Sequence, residues 1–300
     1  MNKKLHSLIL IMLFMCSVIG CSAGRRALQV KGSDTMVNLA QAWTEEYMKT
    51  HPDQPIAVTG GGSGTGIASL INRSADIALC SREMKKKEID IAKGKGVNPF
   101  EVQVANDGIA VVVSPKNPVD RLTLNQLSDI FAGKVKNWNE LGGPDREIVA
   151  LSRDRNSGTH VFFLEHVVKL KKKDQSREFA SGVLMLPSNQ AIVEEVAGSL
   201  GAIGYIGLGY MEKRLKAVAV ADGEGRPYII PNERTVLNQT YPISRSMLFY
   251  TNGQPKGKVK EFVDFVLSRD GQKIVKQLDF VPARNASHSD AGGPIKQHEE

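Results

Sequence analysis

The sequence predicts an α/β fold arranged in two lobes. Short apolar, β-branched runs alternate with segments of helical periodicity, the pattern of strands joined by crossover helices and so of parallel sheets. Turns rich in glycine, serine and threonine follow several strands and open the helices after them. Two stretches rich in proline and glycine, Pro115 with Pro118 and Gly223 to Pro231, suggest a chain that crosses between lobes twice. At 300 residues, 41% hydrophobic and 24% charged, the chain can fill two cores and is too apolar for general disorder.

The first twenty residues stand apart. Lys3 and Lys4 precede an apolar stretch, residues 8–19, that is too short and wrongly flanked to span a membrane and reads as an export signal. Val18-Ile19-Gly20-Cys21 resembles a bacterial lipobox, which implies cleavage before Cys21, a lipid on its thiol and a linker over residues 21–26. Cys16 then leaves with the signal and Cys80 stands alone, so neither an intramolecular disulfide nor a cysteine metal cluster is expected. Strands are expected at residues 27–30, 55–58, 76–80, 108–113, 148–151, 201–206, 216–220 and 247–250. Met36, Ala40, Trp43 and Tyr47 fall at helical spacing, and Ile67, Leu70 and Ile71 restart that period. From Arg284 onward the chain is polar and aperiodic, and residues 285–300 read as a disordered tail.

The net charge of +7 is spread along the chain apart from short lysine runs at 85–87 and 169–173. Aromatic residues make up only 6%, too few for a base-stacking surface, so a basic surface that attracts small anions is expected and nucleic-acid binding is not.

Three clusters share one design: Gly32-Ser33-Asp34-Thr35, Gly62-Ser63-Gly64-Thr65-Gly66 and Asn156-Ser157-Gly158-Thr159 each end a strand and open a helix. There the first helical turn offers unpaired N–H groups and the positive end of its dipole, and hydroxyls add donors. One such turn is ordinary capping; three point to a small anion held where helix N-termini converge. The glycine run is no nucleotide loop, because no Lys-Ser/Thr pair follows Gly64 or Gly66. Arg153 or Arg155 supplies a full positive charge, and a guanidinium fork suits a tetrahedral oxyanion. Spacing alone does not choose between them. Ser157 next to His160 is not a hydrolase signature: no Gly-x-Ser-x-Gly turn surrounds it, and adjacency in sequence does not orient a base. The histidines form no metal-ligand pair, so neither a catalytic nor a metal site is expected.

Taken in order, Gly32-Ser33-Asp34-Thr35-Met36, Gly61 to Gly66, Asp76-Ile77-Ala78, Asp107 to Val112, the block from Leu124 to Trp138, Arg153 with Ser157-Gly158-Thr159, Gly201 to Tyr205 and Tyr241-Pro242-Ile243-Ser244-Arg245 resemble the phosphate-binding protein family (PstS) of bacterial phosphate ABC transporters across residues 28–283. The resemblance implies a two-lobed periplasmic-binding-protein fold of type II, with mostly parallel sheets and a two-stranded hinge. It places lobe I at residues 27–108 plus 238–284 and lobe II at 109–237. It implies no cofactor and no catalysis. The implied role is an extracytoplasmic, lipid-anchored and monomeric protein that carries inorganic phosphate to a membrane permease. Carried over by motif, the ligand set is Thr35, the N–H of Met36, Ser63 and Thr65 from the first lobe, with Arg153, Ser157, Gly158 and Thr159 from the second. Here the family spacing selects Arg153 over Arg155. Where some members of the family place an aspartate whose carboxylate accepts a hydrogen bond from a protonated phosphate oxygen, this sequence has Ser81, followed by Arg82. Asp107 is the expected substitute acceptor. The nearest alternative is a binding protein for sulfate, molybdate or a phosphonate; an extracytoplasmic phosphoester hydrolase is more distant.

Overall fold

The computed structural model describes residues 26–283 and 295–296; the signal segment and Cys21 lie outside the described residues. In the first lobe β1 (Leu28–Gly32) pairs in parallel with β2 (Ile56–Thr59) and β3 (Ile77–Cys80). Between them run α1 (Asp34–Thr50) and α2 (Ser63–Ile71). Helix α1 forms because Met36, Leu39, Ala40, Trp43 and Tyr47 recur on one face, and that face is fully buried. The Trp43 indole also donates to the Gly271 carbonyl at 2.8 Å, tying α1 to the C-terminal helices α8 (Gly257–Leu267) and α9 (Arg269–Gln277).

Following α3 (Lys86–Gly94), the fifteen-residue β4 (Pro99–Val113) runs through both lobes. Up to Gly108 it pairs antiparallel with β11 (Ser244–Asn252). From Ile109 its partner is β8 (Ala202–Gly207), also antiparallel. In the second lobe β6 (Val149–Arg153) pairs in parallel with β8 and β7 (Leu184–Leu186). The strands form one continuous sheet in the order β2-β1-β3-β11-β4-β8-β6-β7, with parallel flanks, as expected, and antiparallel strands through its middle, where the long crossing strands lie. Around this sheet lie β5 (Arg121–Thr123), α4 (Leu124–Phe131), α5 (Gly158–Phe163), α6 (Asn189–Gly198), β9 (Lys216–Ala217), β10 (Ala219–Ala221) and α7 (Glu233–Leu237). The apolar clusters divide accordingly. One is built on Trp43, Phe249 and Phe262 in the first lobe, another on Phe131, Trp138, Phe163 and Tyr205 in the second.

Three sequence expectations change. Pro115, Pro118 and the 223–231 stretch are not crossings: a bridge between Val220 and Ile229 folds the latter back on β10, and the chain passes between lobes inside β4 and on the approach to β11. Residues 216–220 form two short strands with different partners, β9 on β4 and β10 on β5. In the tail, Ile295–Lys296 pairs antiparallel with β4 at Glu101 and Val102 as β13, where that edge of β4 offers unpaired backbone groups. The remaining tail residues lie outside the described residues, as does any test of their disorder. Before β13, β12 (Val281–Pro282) pairs with β4 at Ala105 and Asn106. Among the described residues no helix is long and apolar enough to cross a membrane.

Candidate functional site

The loops at the carboxyl ends of β1, β2 and β6 meet between the lobes, the usual ligand position in open α/β sheets. Each supplies hydroxyls because the strand ends where a helix begins, and its last turn residue sits at or beside the helix cap.

From the first lobe, Thr35 is 1% exposed and Ser63 and Ser81 are fully buried. Ser33 Oγ donates to Ser81 Oγ at 2.9 Å, and the Ser81 N–H donates to Ser63 Oγ at 3.0 Å. From the second lobe, Ser157 caps α5, its Oγ accepting from the His160 N–H at 3.4 Å. Thr159 Oγ1 lies 2.9 Å from Thr35 Oγ1, directly across the cleft. Gly158 packs so closely on the first lobe that a Cβ there would fall 2.2 Å from Ser63 Oγ and 2.5 Å from Ser81 Oγ.

Arg153 ends β6 and is completely buried. Its Nη2 donates to Asp34 Oδ2 at 2.9 Å and to the Pro187 carbonyl at 2.7 Å, and its Nε to the Leu186 carbonyl at 3.3 Å. Nη1 is buried with no protein partner. A buried guanidinium N–H without an acceptor costs several times the net worth of an ordinary hydrogen bond, so this atom is available to donate to a group from outside the chain.

The structure brings Thr35, Ser63, Ser81, Arg153, Ser157, Gly158 and Thr159 together. It uses three other expected residues differently. The Met36 N–H donates to the Ser33 carbonyl at 2.9 Å, closing the first turn of α1, and its side chain is buried in the first-lobe core. Thr65 faces the rim: its hydroxyl donates to the Gly61 carbonyl at 2.5 Å and accepts from Asn156 Nδ2 at 3.4 Å. Asp107 is fully buried, but its carboxylate is already engaged. Oδ2 accepts from Arg245 Nε at 3.0 Å and Nη2 at 2.8 Å, and Oδ1 accepts from the Leu208 N–H at 3.0 Å. Burial pushes the Asp107 carboxyl upward, while Arg245 and the backbone N–H groups pull against it. In this arrangement it holds Arg245. Arg82, weighed with Ser81, turns away to a two-pronged pair with Glu88 at 2.8 and 2.7 Å.

Residue types alone do not reveal several members of the site. Arg245 Nη1 donates to Thr159 Oγ1 at 3.0 Å and to the Ser81 carbonyl at 3.2 Å, so this hinge-strand cation touches both lobes. Asn189 Nδ2 donates to Thr35 Oγ1 at 3.3 Å. Each hydroxyl thus accepts from one fixed N–H donor, and within the Thr35–Thr159 contact one of the two donates to the other. Asp34 joins Arg153 to the Gly61 N–H, accepted at 2.8 Å by its other oxygen. Asn156 clasps the rim, its carbonyl accepting from the Gly64 N–H at 2.9 Å and its Nδ2 donating to the Gly61 carbonyl at 2.7 Å. The cross-cleft bonds from Thr159, Arg153 and Asn156 define a closed arrangement.

Two ion pairs thus flank the hydroxyls: Arg245 with Asp107, wholly buried, and Arg153 with Asp34, whose carboxylate is partly exposed. Asp107→Ala leaves the Arg245 charge buried and alone, and is expected to lower unfolding free energy by about 3–5 kcal/mol in a denaturant titration. Asp107→Asn, which keeps one acceptor, should lose distinctly less.

His160 does not serve Ser157 as a base. Its Nδ1 lies 3.0 Å from Ser152 Oγ, and burial pushes its pKa down to about 4, so it is a neutral packing residue at pH 7. Among the described residues no cluster of histidine, cysteine and acidic side chains could hold a metal ion.

Comparison with known proteins agrees with this geometry. Residues 21–270 match the family model described as a PBP superfamily domain. The chain is 34% identical over 268 residues to the phosphate-binding protein PstS of Pseudomonas aeruginosa, covering 84% of this chain and 81% of that one. It is 33% identical over 258 residues to the PstS of Bacillus subtilis, covering 85% and 80%. Among solved structures, a putative phosphate ABC transporter substrate-binding protein from Clostridium perfringens, with bound phosphate, superposes with a TM-score of 0.77. It is 33% identical, over 86% of this chain and all of that one. With a cleft of buried hydroxyls, a partnerless arginine N–H and matches that span nearly the whole described chain, this protein belongs to the PstS family of the PBP superfamily.

Proposed function

We propose that the protein binds inorganic phosphate between its lobes and delivers it to an ABC importer, chemically unchanged, on the outer side of the cytoplasmic membrane. The observation that carries the reading is Arg153 Nη1, a buried donor with no protein acceptor, on the guanidinium whose Nη2 pairs across the cleft with Asp34. Family membership supports it, as does the phosphate bound by the Clostridium perfringens relative. Thr35, Ser63 and Ser81 approach the anion from one side; Arg153, Ser157, the backbone at Gly158 and Thr159 approach from the other. Only the closed form makes both sets of contacts, so the ligand shifts the open–closed equilibrium toward closure. A lipid on Cys21 would keep the monomeric carrier at the membrane beside its permease.

The His160 geometry favours carriage over hydrolysis, since the serine beside it has no base. Titration calorimetry on anion-stripped protein tests the proposal. Phosphate is expected to bind with micromolar or tighter affinity, about −8 kcal/mol or better. Sulfate, run in parallel, reads how far a site without a free carboxylate acceptor discriminates. No heat with phosphate, or tighter binding of sulfate, overturns the reading.

A further inference from the structure

A cavity lies behind the hinge. Its volume is about 350 Å³, and its walls include Asn106, Ser244 and Ser246 from the crossing strands with Lys171, Asp222 and Val236 from the second lobe. Strand alternation fixes its position relative to the cleft. On β4 and β11, Asp107 faces Arg245 in register, and both side chains turn to the cleft, where Arg245 reaches Thr159. Asn106 and Ser246, the next pair in register, therefore point to the opposite face of the same ribbon, as does Ser244. The ribbon has the anion site on its front and this cavity on its back.

The second-lobe wall is conformationally unusual. Leu170, Lys171 and Lys172 are consecutive non-glycine residues with φ of 50°, 59° and 65°. A run in this region is costly for L-residues and persists only where the surroundings enforce it. The turn ends the helical segment Leu164–Val168 and brings Lys171 to an ion pair with Asp222 at the cavity mouth.

We propose that this cavity sets the balance between open and closed forms, and so the lifetime of the bound anion. The inference rests on the phosphate reading above. The two faces of a hinge move in opposition: swinging the lobes apart at Thr35 and Thr159 brings the walls behind the ribbon together. The cavity is therefore largest when the cleft is shut. Serines at 244 and 246 leave it unfilled, so nothing at the back resists opening and the carrier can release its cargo. A larger side chain there obstructs opening and holds the protein closed, without touching the anion site.

The test is a graded series, Ser246→Val, Ser246→Leu and Ser246→Phe, with Asp222→Phe filling the cavity from the opposite wall. Removing the Asp222 partner from Lys171 costs little in itself, because that ion pair is solvent-exposed. Phosphate dissociation is followed by stopped flow, affinity by calorimetry, and the shape of the phosphate-free protein by small-angle scattering. Dissociation should slow with side-chain size, by about three- to tenfold for the largest, as the closed fraction of the free protein rises. Scattering should show phosphate-free Ser246→Phe and Asp222→Phe more compact than the parent. Parental or faster dissociation with unchanged compactness, in variants that retain cooperative unfolding, overturns the proposal. If the parent itself fails to bind phosphate, the functional reading falls. Compaction across the phosphate-free series then still decides the role of the cavity by itself.

Discussion

Arg153→Met is expected to weaken phosphate binding by about 3–5 kcal/mol, from a hundredfold to several thousandfold. Two losses combine. The Nη1 donor disappears, and with it the charged hydrogen bond a tetrahedral anion would receive in a site closed to water. Nη2 disappears too, so Asp34 loses its partner across the cleft and its negative charge stands beside the incoming anion. The fold depends less on this residue, because the Arg153–Asp34 contact joins lobes that each have their own core. Thermal unfolding without ligand should therefore change far less than the affinity. The rise in Tm that saturating phosphate gives the parent should vanish. Arg155→Met, at the exposed neighbouring arginine, should leave affinity within about twofold, as surface charges away from a site usually do. Equal losses in the two variants would mean that the anion senses only the general positive field, and that Arg153 is not its ligand.

The two arginines also mark how far the site is legible in the amino-acid sequence. Ser157 and Thr159 stand out because they lie on one local pattern, a strand ending in a turn that opens a helix. The same holds for Thr35 and Ser63, whereas Arg153 is told from Arg155 only by the family resemblance. A local pattern does not say which way a side chain points once the helix begins. Thr65 has the right residue type and spacing but turns back to the Gly61 carbonyl at the rim. Arg245 shows a different limit. It lies 138 positions from Asp107, and the two meet only through the antiparallel register of β4 and β11. Without that register, Asp107 looks like a free acceptor and Arg245 like one more surface cation. The first half of β4 carries a different signal from its second half: Phe100, Val102 and Val104 alternate with Glu101 and Gln103, a two-residue period that a search for continuous apolar runs passes over. The parallel flanks, by contrast, announce themselves in short apolar runs.

Gly158→Ala should nearly abolish binding by steric means alone. Alanine is the better residue inside a helix, so on the isolated second lobe the change is neutral or mildly stabilising, by about 0.4–1 kcal/mol. The cost arises only on closure. The new methyl would come 2.2 Å from Ser63 Oγ and 2.5 Å from Ser81 Oγ, both fully buried in the first lobe and tied to each other through the Ser81 N–H. Ordinary carbon–oxygen contacts need well over 3 Å, so the lobes must stop short. A misfit of that size breaks the Thr35–Thr159 contact and moves Arg153 from Asp34, and affinity should fall at least a hundredfold. Gly182→Ala is the control, since a Cβ there meets nothing within 4 Å, and it should bind as the parent does. Undiminished phosphate affinity in Gly158→Ala would show that the tight approach of α5 to the two serines is not needed for binding, and that the ligand is held by a more open cleft. Loss of affinity with an unchanged or higher Tm in the absence of phosphate would instead locate the defect in closure, because a damaged lobe would unfold earlier.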